Sequence, residues 1–417
     1  MGIKKLFTFL NNNDLYKKYP YLNDLISDLD IDKKKLLVGV DANLFCYKYI
    51  HSYDNMLIGF FNQILKFLSN KIIPLYIFDG GTIQEKEGTN ISRHHKKLIS
   101  KYKLDKLEKE LEKELELDKT FNKEELLIMK KKLEKNSTKI NTENIIILLE
   151  LFDLLNIPYI FSHAEGEYLA VLLNKYNIID FFLTDDTDPI PAGINRTIKF
   201  YNNSVYFLET TNILKKFKIN QNELCDFCIL LGSDYAVFNH GLKPHELLKI
   251  ICEYKTIENI ISNNIIDKNI FTQNIYEFNP KIFDIIDKIR NIYFNSDKIE
   301  KEMFIDNKNI FEMSSTSDYG EFNDKINLFI DHSNISFYSN IMLEFWDDFI
   351  QVLDSHNNDY INKSIEFKSK IYIHISKQKF NIKNIVKFIK NNIDKVTDNE
   401  IKNMTTSFEF LNNFGLV

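Results

Sequence analysis

The sequence predicts an α/β fold with a mostly parallel sheet, on three observations. Short aliphatic runs without polar alternation end on aspartate, segments with helical apolar spacing separate them, and the alternation continues for about 210 residues. The runs KKLLVGVD, ending at Asp41, and IIPLYIFD, ending at Asp79, have the continuous apolar character of strands buried on both faces. Between them, residues 43–70 place Leu44, Tyr47, Ile50, Leu57, Phe60, Phe61, Ile64, Phe67 and Leu68 at helical spacing, which completes a strand-helix-strand unit. IIILLELFDLLN, IPYIFS, AEGEYLAVLLNKYN and DFFLTDD then repeat helix, strand, helix and strand. Ligands of such sheets gather at the carboxyl ends of the strands, and the acidic residues fall there.

One segment departs from the alternation. Residues 94–140 hold 14 Lys against 10 acidic residues, a local charge of +4 inside a chain of net charge −6. Leu104, Leu107, Leu111 and Leu115, with Glu/Lys pairs between them, support long helices. On composition alone this is a solvated helical hairpin or short coiled coil; its insertion directly after the strand ending in Asp79 favours a functional element. Residues 256–417 are rich in Asn, Ile and Lys, with β-like runs such as IEFKSKIYIHIS, and carry no catalytic motif.

The 417 residues suggest two or three domains, or one large core with an appendage. A net charge of −6, from 53 Lys+Arg and 59 Asp+Glu, argues against a broadly basic coat but leaves room for a local basic path. Only Arg93, Arg196 and Arg290 carry guanidinium groups, and Asn and Ile recur throughout, a pattern of coding bias toward A and T. Cys46, Cys225, Cys228 and Cys252 suit an intracellular, reducing compartment. Cys225-x-x-Cys228 has no second pair to complete a zinc site, which favours structural helix residues. The N-terminal apolar run is too short for secretion, and no stretch is long enough to span a bilayer, so no membrane partner is expected.

The chemistry lies in the carboxylates. Asp41, Asp79, Glu165, Glu167, Asp186, Asp188 and Asp234 all fall at strand ends or helix starts. Acids converging on one sheet edge repel one another and would protonate unless a cation offsets them, so the cluster implies divalent metal. Oxygen ligation without a nearby His favours Mg²⁺ or Mn²⁺ over zinc. Glu165-x-Glu167 and Asp186-x-Asp188 each offer two carboxylates from one turn, enough for one segment to serve two ions. Each acid pair alone is weak evidence; four apolar segments each delivering acids at the proper end are far less accidental.

MGIKKL, VGVDANLFCY, PLYIFDG, AEGEYLAVLL, TDDTD and ILLGSDY, in that order, resemble the flap endonuclease/XPG family of structure-specific 5′ nucleases over about residues 1–260. The insertion and the C-terminal extension look most like the poxvirus branch. The resemblance implies a PIN-like 5′ nuclease fold: a mostly parallel twisted sheet flanked by helices, with a helical arch and a helix-hairpin-type DNA-binding region. It also implies a core over 1–255, the arch at 84–140, the start of a helix-two-turn-helix region at 224–255 and an extension of unknown role at 256–417. All seven acids match the family's metal-ligand positions, which implies two Mg²⁺, with Mn²⁺ as a substitute, and two-metal phosphodiester hydrolysis. Lys86 and Arg93 match the two cations that contact the scissile phosphate, where positive charge stabilises the transition state. Tyr47 matches the aromatic on which a nucleobase stacks. Gly2 matches the small residue at the site, and Gly232 and Gly241 match glycines of the duplex-binding region. The partners implied are DNA with a 5′ flap, nick or junction and proteins of replication or recombination, in the host cytoplasm for a poxvirus chain and otherwise in the nucleus.

Some positions depart from the family. Lys243 stands where a second glycine is usual in the hairpin that holds K⁺, and Asp54 and Gln63 stand where relatives carry Arg, which weakens the expected duplex grip. DPIPAG after Asp186-Thr187 keeps only Gly193 of the family's pattern, and no clear sliding-clamp motif appears near the C-terminus. Two rival readings stay open: a 5′→3′ exoribonuclease, which shares the Met-Gly start and an acid-rich sheet, and a DNA-junction-binding scaffold with little catalysis. The complete acid set favours an enzyme over the scaffold.

Overall fold

The computed structural model describes residues 2–29, 36–53, 55–70, 72–79, 142–155, 157–162, 165–175, 177, 179–238, 240–266, 271–273, 282–294, 373–374 and 382–393, with isolated positions between 101 and 140. The predicted aliphatic runs form β2 (Leu36–Asp41), β3 (Ile72–Phe78), β4 (Tyr159–Phe161) and β5 (Phe181–Leu183). With β1 (Lys17–Tyr19), β6 (Arg196–Tyr201), β7 (Ser204–Glu209) and β10 (Ile373–His374) they make one sheet, in the order β1-β7-β6-β5-β2-β3-β4-β10. Its centre is parallel, as expected: β2 pairs with β3 and β5, β3 with β4, and β5 with β6. The outer pairings β6–β7, β1–β7 and β4–β10 are antiparallel, so the sheet is mixed. The β6–β7 hairpin turns on Asn202 and Asn203, with φ of 46° and 56°, a left-handed pair that asparagine tolerates.

From β2 the chain builds outward through β3 and β4 on one side, then returns to place β5 on the other. The gap between β2 and β5 is therefore a topological switch point, where an open α/β sheet offers a crevice.

Both faces of the central strands are buried. Leu36, Val38, Val40, Tyr76 and Phe78 pack into one apolar cluster, and Leu37, Ile73, Leu75 and Ile77 into another. The first is covered by α2 (Leu22–Asp28), α3 (Ala42–Tyr53), α4 (Met56–Ser69) and α5 (Thr142–Leu154), the second by α6 (Gly166–Lys175). The single helix expected over 43–70 is two: Asn55 caps α4, its Oδ1 accepting from the Leu57 amide at 2.9 Å. Tyr47 leaves the predicted apolar face and is 38% exposed.

A further apolar cluster gathers α1 (Leu6–Asn12), α7 (Thr210–Phe217), α8 (Gln221–Leu231), α9 (Pro244–Tyr254), α10 (Ile257–Ser262) and α11 (Ile282–Phe294). β8 (Ala236–Phe238) pairs with β9 (Phe271–Gln273) beside it. Cys225 and Cys228 are buried in α8, where burial raises both thiols well above their ordinary pKa; they are core residues.

Apolar packing continues past residue 255. Ile257, Ile260, Ile286, Ile289 and Tyr293 belong to the same cluster as α8. β10 extends the central sheet, and α12 (Ile382–Asn392) buries Ile385, Phe388 and Ile389 in the first cluster. Arg290 ties α11 to α8 and α10, its guanidinium forked onto Asp226 at 2.7 and 2.6 Å and reaching Glu258 at 2.5 and 3.0 Å. No helix of the described residues is long and apolar enough to cross a membrane.

Candidate metal centre

Asp41 is the last residue of β2, at the edge of the switch point. Its Oδ1 accepts from the Leu44 amide at 3.0 Å and its Oδ2 from the Thr184 hydroxyl at 3.0 Å. Thr184, directly after β5 and buried, also accepts from the Asp186 amide at 3.0 Å. One hydroxyl thus links a carboxylate on β2 to the backbone of the acidic turn after β5. Sequence reasoning passed over Thr184; its only signal was its place between an apolar strand and the acid pair.

Asp79 follows β3 and is held from two sides. Its Oδ1 accepts from the Gly166 amide at 2.7 Å, at the N-terminus of α6, and its Oδ2 from Asn43 Nδ2 at 2.8 Å. Asn43, also missed, is fixed by its position two residues after Asp41. Glu165 and Glu167 flank Gly166, the residue whose amide holds Asp79 at the start of α6. The Tyr235 hydroxyl lies 3.5 Å from Glu165 Oε2 and pairs with the Tyr168 hydroxyl, all within the core.

Asp186 folds back on its own turn, its Oδ1 accepting from the Thr187 and Asp188 amides at 2.6 and 3.3 Å. Asp188 is fully buried. Ligand atoms of Glu167, Asp186 and Asp188 all lie within 4.8 Å of one another, the spacing of a shared cation. On the other side, burial first and then repulsion from Asp79 and Asp186 push the Asp41 carboxyl up to about 7, against the hydrogen bonds from Leu44 and Thr184. Asp186 therefore belongs to both groupings, Asp41/Asp79 and Glu167/Asp188. Crowded carboxylates with oxygen donors alone and a protonation penalty fit one or two hard divalent cations. Asp234, half-buried, precedes Tyr235 on the loop after α8.

Gly2 lies against this centre. Its φ is +81°, and a Cβ there would meet Asp186 Oδ1 at 1.8 Å and Thr187 Oγ1 at 2.8 Å. The next amide, Ile3 N–H, donates to Thr187 Oγ1 at 2.9 Å, and Lys4 N–H donates to the Gly232 carbonyl at 2.9 Å. Gly232 is buried and ends α8 with φ +94°, so it anchors the N-terminal segment instead of facing a duplex. Gly241, with φ +70°, has open space where a Cβ would stand. The neighbouring Lys243 amide is taken up by Glu246 at 2.7 Å, which leaves it committed to the start of α9. Gln63, expected on the duplex face, is buried, accepting from the Tyr76 hydroxyl at 2.8 Å, because α4 turns that position into the core. Lys86, Arg93, Asp54 and most of the arch at 84–140 lie outside the described residues.

Comparison with known proteins agrees with this geometry. Residues 1–100 match the XPG N-terminal domain and residues 156–234 the XPG I-region. Flap endonuclease 1 of Entamoeba histolytica is 25% identical over 248 residues, covering 54% of this chain and 62% of that protein. Flap endonuclease 1-B of Xenopus laevis is 27% identical over 246 residues, covering 54% and 61%. The chain thus spans about three-fifths of the length of these curated relatives. The solved catalytic core of Rad2 in complex with DNA substrate (complex III) has the same fold, with a TM-score of 0.53 at 17% identity, covering 98% of this chain and all of that one. The XPG N-terminal domain and the XPG I-region are thus both matched, in chain order, and the I-region contains Glu167, Asp186 and Asp188, whose ligand atoms lie together.

Proposed function

We propose that this chain is a Mg²⁺-dependent, structure-specific 5′ nuclease that hydrolyses phosphodiester bonds in flapped or branched DNA. The observation that carries the reading is the grouping of Glu167, Asp186 and Asp188 next to Asp41 and Asp79 at the switch point of a parallel sheet. Its relatives are flap endonucleases by name, and a protein of the same fold has been solved with a DNA substrate.

Glu167, Asp186 and Asp188 would hold one cation, and Asp41 and Asp79, with Asp186 between the groups, would hold a second; Asp234 is the remaining candidate ligand. Bound there, Mg²⁺ or Mn²⁺ supplies Lewis-acid activation of water and stabilisation of the leaving oxygen. The chain's own part is orientation. Thr184 and Leu44 fix the Asp41 carboxylate, and Asn43 and the Gly166 amide fix that of Asp79, so neither must reorganise as charge develops on the phosphate. Exposed Tyr47 offers a stacking face to an unpaired base. Lys86 and Arg93 would bind the scissile phosphate, and the Lys-rich segment 84–140 would form an arch tracking a 5′ single strand. Any K⁺ site near Gly241 would have to do without the Lys243 amide. The A/T-biased composition, long insertion and polar extension support a place in the poxvirus branch, with action in the host cytoplasm beside replication and recombination proteins.

The test is cleavage of 5′-labelled flap, bubble, nicked and Holliday-junction DNAs, with an RNA control, in Mg²⁺ and in EDTA. Flap or junction cleavage in Mg²⁺ that Asp79→Ala and Asp186→Ala abolish, with both variants folded, is expected. Unchanged cleavage by both variants refutes the metal centre, and RNA-only cleavage moves the chain to the exoribonucleases.

A further inference from the structure

Asp185 stands between Thr184 and Asp186 and pairs with lysines. Its Oδ2 lies 2.8 Å from Lys48 Nζ of α3. Lys199 Nζ of β6 donates to the Asp185 carbonyl at 3.2 Å and lies 3.8 Å from its Oδ1. Two ammonium groups thus share one carboxylate, which leaves one positive charge in excess.

The excess charge is placed and held. Lys48 follows the exposed Tyr47 in α3, and Asp185 precedes Asp186. Lys199 is close enough to Asp186 for its charge to be felt there. Aromatic rings steady both stems: Lys199 Nζ is 4.5 Å from the Phe7 ring centre and Lys48 Nζ 5.1 Å from that of Phe45. The side chains of Lys48, Lys199 and Asp185 are 33%, 17% and 27% exposed, open enough for an anion to reach them and confined enough to lose little freedom on binding.

We propose that Lys48 and Lys199 form an anion subsite for one backbone phosphodiester of the substrate strand, next to the metal centre, with Asp185 as the internal anion that occupies it when no nucleic acid is bound. The proposal rests on the nuclease reading above. Its chemical consequence is opposite signs for neighbouring substitutions: Lys48→Met removes attraction for the phosphate, whereas Asp185→Asn removes the carboxylate that competes with it.

The experiment measures binding of a labelled 5′-flap duplex to the full chain in Ca²⁺ across a salt series. Lys48→Met, with Lys48→Gln as a second variant, is expected to bind several-fold more weakly and to lower the salt slope by about 1, the mark of one lost phosphate contact. Asp185→Asn is expected to bind more tightly than wild type. Thermal unfolding confirms that each variant is folded; a misfolded Lys48→Met passes the decision to Lys48→Gln and Asp185→Asn. Weaker binding by Asp185→Asn together with the Lys48 variants would mean the cluster is only structural and overturns the proposal. Unchanged binding by the Lys48 variants overturns it alone, whereas no binding by wild type overturns the nuclease reading and this subsite together.

Discussion

Replacing Asp41 with asparagine should stabilise the metal-free protein at neutral pH while abolishing its activity. The folded carboxyl is pushed to about 7 from an ordinary 3.8 by burial and by Asp79 and Asp186. A folded value above the unfolded one means that Asp41 favours the fold only while protonated. Its contribution is fully present below pH 4 and is lost as pH rises toward 7. At 1.36 kcal/mol per pKa unit, and allowing for screening by the solvent Asp41 still meets, the loss is about 2–4 kcal/mol. The asparagine side chain would keep the amide contact to Leu44 and carry no charge, so the variant avoids this loss. Urea unfolding in EDTA should therefore find Asp41→Asn more stable than wild type by about 2–4 kcal/mol at pH 8 and equal at pH 4. Mg²⁺ at pH 8 should close most of that gap by stabilising wild type alone. The same stability difference at both pH values, or none at pH 8, would refute the view that this centre is strained by its own carboxylates.

Three further outcomes are expected. Thr184→Val, which leaves the Asp41 carboxylate and the Asp186 amide without their shared hydroxyl, should cost about 1–3 kcal/mol and raise the Mg²⁺ needed for half-maximal activity; Thr184→Ser should restore both in a metal titration. Arg290→Met strands buried Asp226 and should cost about 3–5 kcal/mol at neutral pH. Burial already raises Asp226 and Arg290 counteracts it, so the deficit should shrink toward pH 4, where Asp226 takes up a proton; urea unfolding at two pH values checks this. Gly2→Ala, forced into a left-handed conformation and against Asp186, should lower turnover about tenfold or more with little change in unfolding midpoint.

The central architecture was legible because its signals are local. Buried parallel strands need continuous aliphatic runs, and KKLLVGVD and IIPLYIFD have no alternative use for theirs. What misled was rotation about a helix: periodicity placed Tyr47 with the core and the family resemblance put Gln63 on the duplex face, and packing reversed both. The extension also escaped prediction, since β10 and α12 find their partners, β4 and the first apolar cluster, some 200 residues away along the chain. No local pattern encodes such a pairing.

The sequence by itself determined which acids end which strands, and hence an oxygen-only, metal-binding edge, because strand termini and residue chemistry are properties of short segments. Only the tertiary structure decided how those acids are shared. The switch point brings β2 beside β5, lets one threonine hydroxyl span them, puts Asp186 between two carboxylate groups and turns Asp185 toward two lysines. Those relations depend on strands far apart in the chain meeting at fixed distances, and distance alone decides whether neighbouring charges repel, bind a cation or receive a phosphate.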